Sequence, residues 1–313
     1  MTHPPRDHGG GLDAAIARHG GTRADWIDLS TGINPVPYPM PDLPADAWTA
    51  LPDAAARDRL TDAARRFWRV PDGAHLLAAP GASALIARIP ALVPPGRVHI
   101  PGPTYNEHAA AFRVHGHRPA DDPSAPVHVH VHPNNPDGRH APPPGPRTLT
   151  VIDESFCDIS PEASHAAHAT APSVIVLKSF GKFWGLAGLR LGFAVGHPDT
   201  LAPLAEALGP WPVSGPALAI GAAALSDDAW ADASRARLVT DAARLDALLT
   251  RAGARIVGGT TLFRLARVAD ATALQTRLAR HHIWTRTFPY DPTWIRLGLP
   301  APQHWPRLET ALA

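Results

Sequence analysis

An α/β fold on a mostly parallel sheet is what this sequence predicts, and three observations predict it. Short apolar runs alternate with stretches of helical patterning along the chain. Their order is strand, helix, strand, at the spacing that suits parallel strands joined by crossovers. Each polar motif of note falls just after an apolar run, where open α/β sheets gather their ligands.

In chain order, the candidate strands are His75–Ala78, Val98–Ile100, Val127–His132, Thr148–Ile152, Val174–Leu177 and Leu191–Val195. Helical patterning fills several of the intervals, notably Ser83–Leu92 and Glu107–Val114. From about Ala217 the texture changes. Ala217–Gly253 is alanine-rich and helical, and "ARIVGGTTLFRLARV" and "WIRLGL" then supply short strands of a smaller lobe. No internal repeat is visible.

Composition narrows the function classes. The 313 residues are 45% hydrophobic, enough for a sizeable core in one large domain or two smaller ones. A net charge of +1 points to neither a nucleic-acid partner nor a membrane surface. No apolar run approaches the ~20 residues of a spanning helix. The opening "MTHPPRDHGGGLDAA" lacks a basic-then-apolar signal pattern. The single cysteine, Cys157, excludes an intrachain disulfide, and a cytoplasmic protein is expected. The 36 prolines cluster in connectors such as Pro142–Pro146.

One segment stands out. Of the 29 basic residues only two are lysines, Lys178 and Lys182, and both lie in "VLKSFGKFWGLAGLRLGF". An amine condenses with an aldehyde; a guanidinium, protonated throughout the physiological range, does not. Lys182 is the better candidate, since it follows a strand and the small turn Ser179–Gly181. Lys178 reads as a strand-end surface cation. Small residues at Gly185, Ala187 and Gly188 let the backbone turn tightly, so that Arg190 can return to the same pocket. A lysine, an upstream hydroxyl and a downstream arginine suit an aldehyde cofactor that carries a phosphate, as pyridoxal 5'-phosphate does.

Other motifs supply matching parts. Asp153 ends an apolar strand in "TLTVIDESF". At ~4 Å and an effective dielectric of ~20, its attraction for a protonated pyridine nitrogen is about 4 kcal/mol. Alone it reads more readily as a helix N-cap. Asn135, in "HPNNPDG", can donate to the ring's phenolic oxygen or simply make an Asn-Pro turn. Tyr105, in "PGPTYNEH", can stack on the ring face. "APGASALIARIP" reads as a strand end, a Gly turn at Gly81 and a helix start, with the amides of Ala82 and Ser83 directed at an anion.

Together Gly81–Ser83, Tyr105, Asn135, Asp153, Ser179, Lys182 and Arg190 resemble the site set of the fold-type I, class I/II aminotransferase superfamily. The likeness runs from about His8 to Leu299, and "SFGKFWGLAGLRLGF" is its most specific part. Within the superfamily, "HGGGLDAAIARHGG…WIDLSTGINPVPYP" and "PGASALIARIP" are similar to the cobalamin-pathway L-threonine O-3-phosphate decarboxylases. Histidinol-phosphate aminotransferases come next.

The resemblance implies a large seven-stranded, mostly parallel sheet domain over 40–210, and a smaller α/β domain from both chain ends, 1–39 and 211–313. The assembly is expected to be a homodimer. Lys182 would bind the cofactor aldehyde and later move protons, Asp153 would hold the pyridine nitrogen, Asn135 the ring hydroxyl, and Tyr105 the ring face. Ala82, Ser83, Ser179 and Arg190 would bind the phosphate. Arg296, in "WIRLGL", matches the arginine that receives the substrate carboxylate; Gly32 and Asn34, in "STGINP", would lie beside the substrate. Arg286, in "WTRTF", is a candidate for a substrate phosphate, or a surface arginine.

The implied reaction is decarboxylation of L-threonine O-3-phosphate to (R)-1-aminopropan-2-yl phosphate. Transamination of a substrate such as histidinol phosphate is the alternative, and a pocket kept without turnover is a third. There are departures from the pattern. Phe156 stands where relatives often have tyrosine. Leu51 stands where many carry a tyrosine that reaches the partner subunit's cofactor phosphate. His132 replaces a usual asparagine.

"VHVHVHP" sets His128, His130 and His132 on one strand face. Their i, i+2, i+4 spacing spreads them about 13 Å, too far for one ion, so no metal is expected. Cys157 reads as a small buried residue, and Trp184 as core or as a border of the cofactor pocket.

Overall fold

The computed structural model describes residues 8–313; the first seven residues of the opening segment lie outside the described ones. The strands are, in order, β1 Ile27–Asp28, β2 His75–Ala79, β3 Arg97–His99, β4 Arg118–Ala120, β5 Val127–Val131, β6 Leu149–Asp153, β7 Val174–Ser179 and β8 Gly192–Gly196, then β9 Arg255–Thr260, β10 Phe263–Arg267, β11 Ile283–Trp284, β12 Arg286–Phe288 and β13 Asp291–Gly298. The α-helices are α1 Leu12–His19, α2 Asp46–Thr49, α3 Ala54–Phe67, α4 Ala82–Ile86, α5 Asn106–Val114, α6 Pro198–Leu208, α7 Gly215–Ala224, α8 Asp228–Arg251, α9 Ala271–Ala279 and α10 Trp305–Leu312. None is long and apolar enough to cross a membrane.

The chain divides into two compact units. The larger takes Pro37–Asn135 and Arg139–Ala233; the smaller takes the described residues through Val36, Pro136–Gly138 and Ser234–Ala313. These limits differ from the 39/40 and 210/211 divisions drawn from the sequence. Helix α7 packs on α3 in the larger unit, and the later limit falls inside α8.

The larger unit carries the seven-stranded sheet, in the order β2-β8-β7-β6-β5-β3-β4. Five strands run parallel, β4, β3, β5, β6 and β7, and β8 is antiparallel to both its neighbours, β7 and β2. Burial explains the composition of each strand. Residues of β6 and of β8 are buried on both faces, so both read as continuous apolar runs. In β5 the valines are buried and the intervening His128 and His130 half-buried, which gives strict alternation. Strand β4, "RPA", escapes a hydrophobic reading because it is a short, charged, proline-bearing edge, as edges that resist further pairing are. One core cluster joins Ile86, Ile89, Val98, Phe112, Val129, Val151, Ile175, Leu177 and Leu201.

The smaller unit holds a four-stranded antiparallel sheet, β12-β13-β10-β9, and the two-stranded parallel pair β1-β11. The fold is therefore the α/β class expected, with a large, mostly parallel seven-stranded sheet in one unit and a smaller α/β unit.

Candidate active site

The carboxyl ends of the parallel strands converge on one cavity of about 180 Å³, within the larger unit. Ala82, Ser83, Tyr105, Asn135, Asp153, Ser179, Lys182 and Arg190 all line it, with Ile86, Val131, Ser155, Phe156, Gly181 and Ala187. Eight residues singled out from the sequence thus meet in one space; Gly81, the ninth, is the N-cap of α4 at its edge.

Local structure aims each group. Asp153 ends β6, is 2% exposed, and points into the cavity. Its Oδ2 lies 2.8 Å from Nε2 of His108, itself buried on the first turn of α5. Its Oδ1 accepts from the Ser155 hydroxyl at 2.5 Å and the Ser155 amide at 3.0 Å. Burial alone would raise this carboxyl's pKa. The His108 hydrogen bond and charge, helped by Ser155, outweigh burial and hold it below the ordinary value. An ionised carboxylate only accepts, so His108 Nε2 donates. His108 escaped the sequence reading; its one signal was a position three residues beyond Tyr105, on the same helical face.

Lys182 sits in a tight loop. Phe180 N donates to Leu191 O at 3.1 Å, Leu186 N to Phe180 O at 3.1 Å, and Gly185 N to Lys182 O at 3.1 Å. Phe180 and Phe183, on either side, are fully buried and anchor the loop, while Lys182 faces the cavity. Its Nζ is 5.3 Å from the centroid of the Phe156 ring.

Arg190 adopts a left-handed backbone, φ 54°, which returns its side chain toward the start of α4. There it donates to Ser83 Oγ at 2.9 Å and to Ala187 O at 3.0 Å. Ala82 and Ser83 open α4, and the first N–H groups of a helix have no intrahelical acceptors. Two glycines make this cradle possible. Gly81 has φ 85°, and a Cβ there would stand 2.5 Å from the Arg190 guanidinium. A Cβ on Gly192 would stand 2.3 Å from Ala82 N. Gly192→Ala is therefore expected to push the β2–α4 turn out of place and cost roughly 1–3 kcal/mol, read as a lowered Tm together with weakened anion affinity.

One expectation is corrected. Lys178 is no surface cation: it is 1% exposed, with Nζ 2.5 Å from Glu154 Oε2 and 3.8 Å from Asp158 Oδ1. Burial opposes its charge, but Glu154 and then Asp158 more than offset that, so its pKa is raised. The cause is strand alternation: Ser179 faces the cavity, so Lys178 faces away. Of the two places read for Trp184, the structure gives the core and not the border of the cavity. It is fully buried between Phe180 and Trp230, at ring separations of 5.3 and 5.4 Å, and donates to Asp158 at 3.0 Å. Cys157 is buried, as expected, and its thiol pKa is raised chiefly by burial.

The residues expected beside a substrate lie in the smaller unit. Arg296, 2% exposed, donates to Ser30 O and lies 5.1 Å from the Phe263 ring centroid. Arg286 is its cross-strand partner in the β12–β13 register and is half-buried. Asn34 accepts from Arg237 at 2.6 Å and from Val36 N at 3.1 Å, while Gly32 takes φ 64°. Arg237, which also pairs with Asp241 at 3.1 Å, was not legible in advance because it sits in an alanine-rich helix.

The site chemistry is that of a cofactor with three handles. A fixed carboxylate suits a cationic ring nitrogen, an arginine–hydroxyl cradle at a helix start suits a phosphate, and an amine between them suits an aldehyde. Pyridoxal 5'-phosphate has all three in one molecule, so the residues present fit it.

Comparison with known proteins agrees. Residues 117–304 match the family model for aminotransferase class I and II. A threonine-phosphate decarboxylase from Sinorhizobium sp is 44% identical over 94% of this chain and 93% of its own length. One from Pseudomonas aeruginosa is 40% identical over 98% of this chain and 97% of its own. A structure of histidinol-phosphate aminotransferase from Sinorhizobium meliloti, in complex with pyridoxal-5'-phosphate, superposes with a TM-score of 0.79 at 19% identity. It covers 96% of this chain and 92% of that one. The chain belongs to the class I and II aminotransferase family.

Proposed function

We propose that the protein is a pyridoxal 5'-phosphate-dependent decarboxylase of L-threonine O-3-phosphate, forming (R)-1-aminopropan-2-yl phosphate and carbon dioxide in cobalamin biosynthesis. The observation that carries this reading is end-to-end likeness, at 40–44% identity, to two threonine-phosphate decarboxylases. The aminotransferase superposed above shares the fold at 19% identity.

Bound in the cavity, the cofactor supplies the electron sink that accepts the electrons of the bond to the carboxylate. The chain's own residues do the rest. Asp153, fixed by His108 and Ser155, keeps the ring nitrogen protonated. Tyr105 covers a ring face, and Asn135 bonds the ring oxygen. Its neighbour Asn134 is buried and tied to Thr104 and Pro103, which leaves Asn135 for the cavity. Phe156 lines the cavity without a hydroxyl, so Asn135 serves the ring oxygen alone. Arg190, Ser83, Ser179 and the Ala82 amide hold the phosphate. Lys182 would hold the aldehyde and, once the substrate amine has taken its place there, would deliver a proton to the substrate α-carbon.

Arg296 and Arg286 are assigned to the two substrate anions, with Gly32 and Asn34 beside the substrate. A tight clamp on the carboxylate would stabilise the ground state and oppose its loss. Arg296 is already engaged by Ser30 O, which suits a loose hold. Arg286→Ala is expected to raise KM for threonine phosphate by roughly tenfold or more, and to change KM for unphosphorylated threonine little. Equal changes would remove Arg286 from the phosphate.

A cytoplasmic homodimer completes the proposal. Met40, Trp48, Leu51 and Trp211 of the larger unit are 61, 70, 68 and 53% exposed, a quantity of large apolar surface suited to a second copy. The lone buried Cys157 needs no oxidising compartment.

The test is product analysis. Protein loaded with pyridoxal phosphate is incubated with L-threonine phosphate, with and without 2-oxoglutarate. Carbon dioxide and an aminopropanol phosphate are expected in both. Glutamate formed only with the oxo-acid would replace this reading with transamination.

A further inference from the structure

We propose that His99, His128, His130 and Asp121 form a binding site for one Zn²⁺ ion. The three histidines in line along β5 are spaced too far apart for one ion, but the sheet supplies a different third. Strand β3 pairs in parallel with β5 and sets His99 directly opposite His128. His132 turns elsewhere, with Nε2 2.8 Å from Ala163 O and Nδ1 accepting from Ala141 N at 3.0 Å.

One ring nitrogen each of His99, His128 and His130 lies within 4.8 Å of the other two. With Zn–N bonds of about 2.0–2.1 Å, tetrahedral neighbours stand about 3.4 Å apart, so modest side-chain rotations close the set. His99 is 7% exposed, and its Nδ1 is buried without a hydrogen-bond partner. A buried polar atom left so is costly and calls for an explanation. Asp121 Oδ1 is 3.4 Å from that nitrogen. This is long for an N–H···O bond, and it matches the edge of a zinc tetrahedron.

One further feature favours an ion. Arg147 donates Nε–H to His128 Nε2 at 3.0 Å, so that nitrogen carries a lone pair. Arg147 is exposed, and an ion would take its place. Three imidazoles and a carboxylate select zinc over the oxygen-loving calcium and magnesium. Four protein ligands leave no open position, so the ion is structural. It would staple β3 to β5, whose ladder holds only two residue pairs. The other compact set, His132, Glu154 and Cys157, is already occupied by the Lys178–Glu154 pair and the His132 bonds.

The experiment uses the cofactor-loaded protein, stripped with a chelator, dialysed, and titrated calorimetrically with ZnSO₄ at neutral pH. One ion per chain is expected, bound below micromolar, with Tm raised by several degrees when zinc is in excess. Co²⁺ in its place should give the visible bands of a tetrahedral ion. His130→Ala and, at an exposed position, Asp121→Asn avoid the folding risk of changing buried His99. His130→Ala should weaken zinc by more than the roughly 10–100-fold that loss of an outer-sphere partner costs. Arg147→Ala should tighten it by roughly tenfold, by removing a competing cation. His281→Ala, at an exposed position in the other unit, should change nothing. Zinc affinity weaker than micromolar, or equal in wild type and His130→Ala, overturns the site.

Discussion

Lys182→Ala is expected to lower the decarboxylation rate by roughly 10⁴-fold or more, because it removes both the covalent anchor and the proton donor. Lys182→Arg should fail to a similar degree. The guanidinium keeps the charge but neither condenses with an aldehyde nor gives up a proton. That pair of variants separates chemistry from electrostatics. Both should fold, since the loop is held by its backbone bonds and by the buried Phe180 and Phe183. The measurement is single-turnover decarboxylation, beside borohydride reduction and peptide mapping of protein supplied with pyridoxal phosphate. Wild type should carry the reduced adduct at position 182 and the variants none. An adduct on Lys178 would sink the assignment, and its burial against Glu154 argues against it.

Asp153→Asn ranks second in expected effect. An attraction of about 4 kcal/mol at ~4 Å corresponds to roughly 10³-fold in rate. The amide keeps the shape and loses the charge. His108→Gln should give a smaller loss, since His108 acts through Asp153 and the two Ser155 bonds remain. A positioning role predicts that the double variant loses little beyond Asp153→Asn alone. Additive losses in that cycle would show that His108 acts independently. Asp153 also carries a sign for acid stability. Its folded pKa lies below the ordinary aspartate value. Its ionised form therefore stabilises the fold above that value, and the contribution is lost as pH falls through the folded pKa. In Asp153→Asn that part of the acid-unfolding profile should disappear.

Much of the site could be read in advance because its logic is local. Lys182, Asp153 and Asn135 each follow an apolar run, and a residue just past a parallel strand has little choice but to face the carboxyl edge. His108 and Lys178 were harder. His108 matters only through a partner 45 positions away, and Lys178 looked exposed until β7 placed Ser179 and Lys178 on opposite faces. The helical stretch from Ser83 was read as longer than it is: α4 ends at Ile86, and a 3₁₀ turn follows at Ile89–Leu92, where Pro90 cannot sustain an α-helix.

The sequence by itself determined the class of fold, six of the seven strands of the large sheet, and the residue types that meet in the cavity. Hydrophobic period and turn chemistry are written along the chain and need no distant partner to be legible. Tertiary structure alone decided which ionisable groups are neighbours: Asp153 with His108, Lys178 with Glu154, and His99 with His128. The pairing of His99 with His128 follows from strand order and register, and register is a property of two segments together that neither one encodes alone.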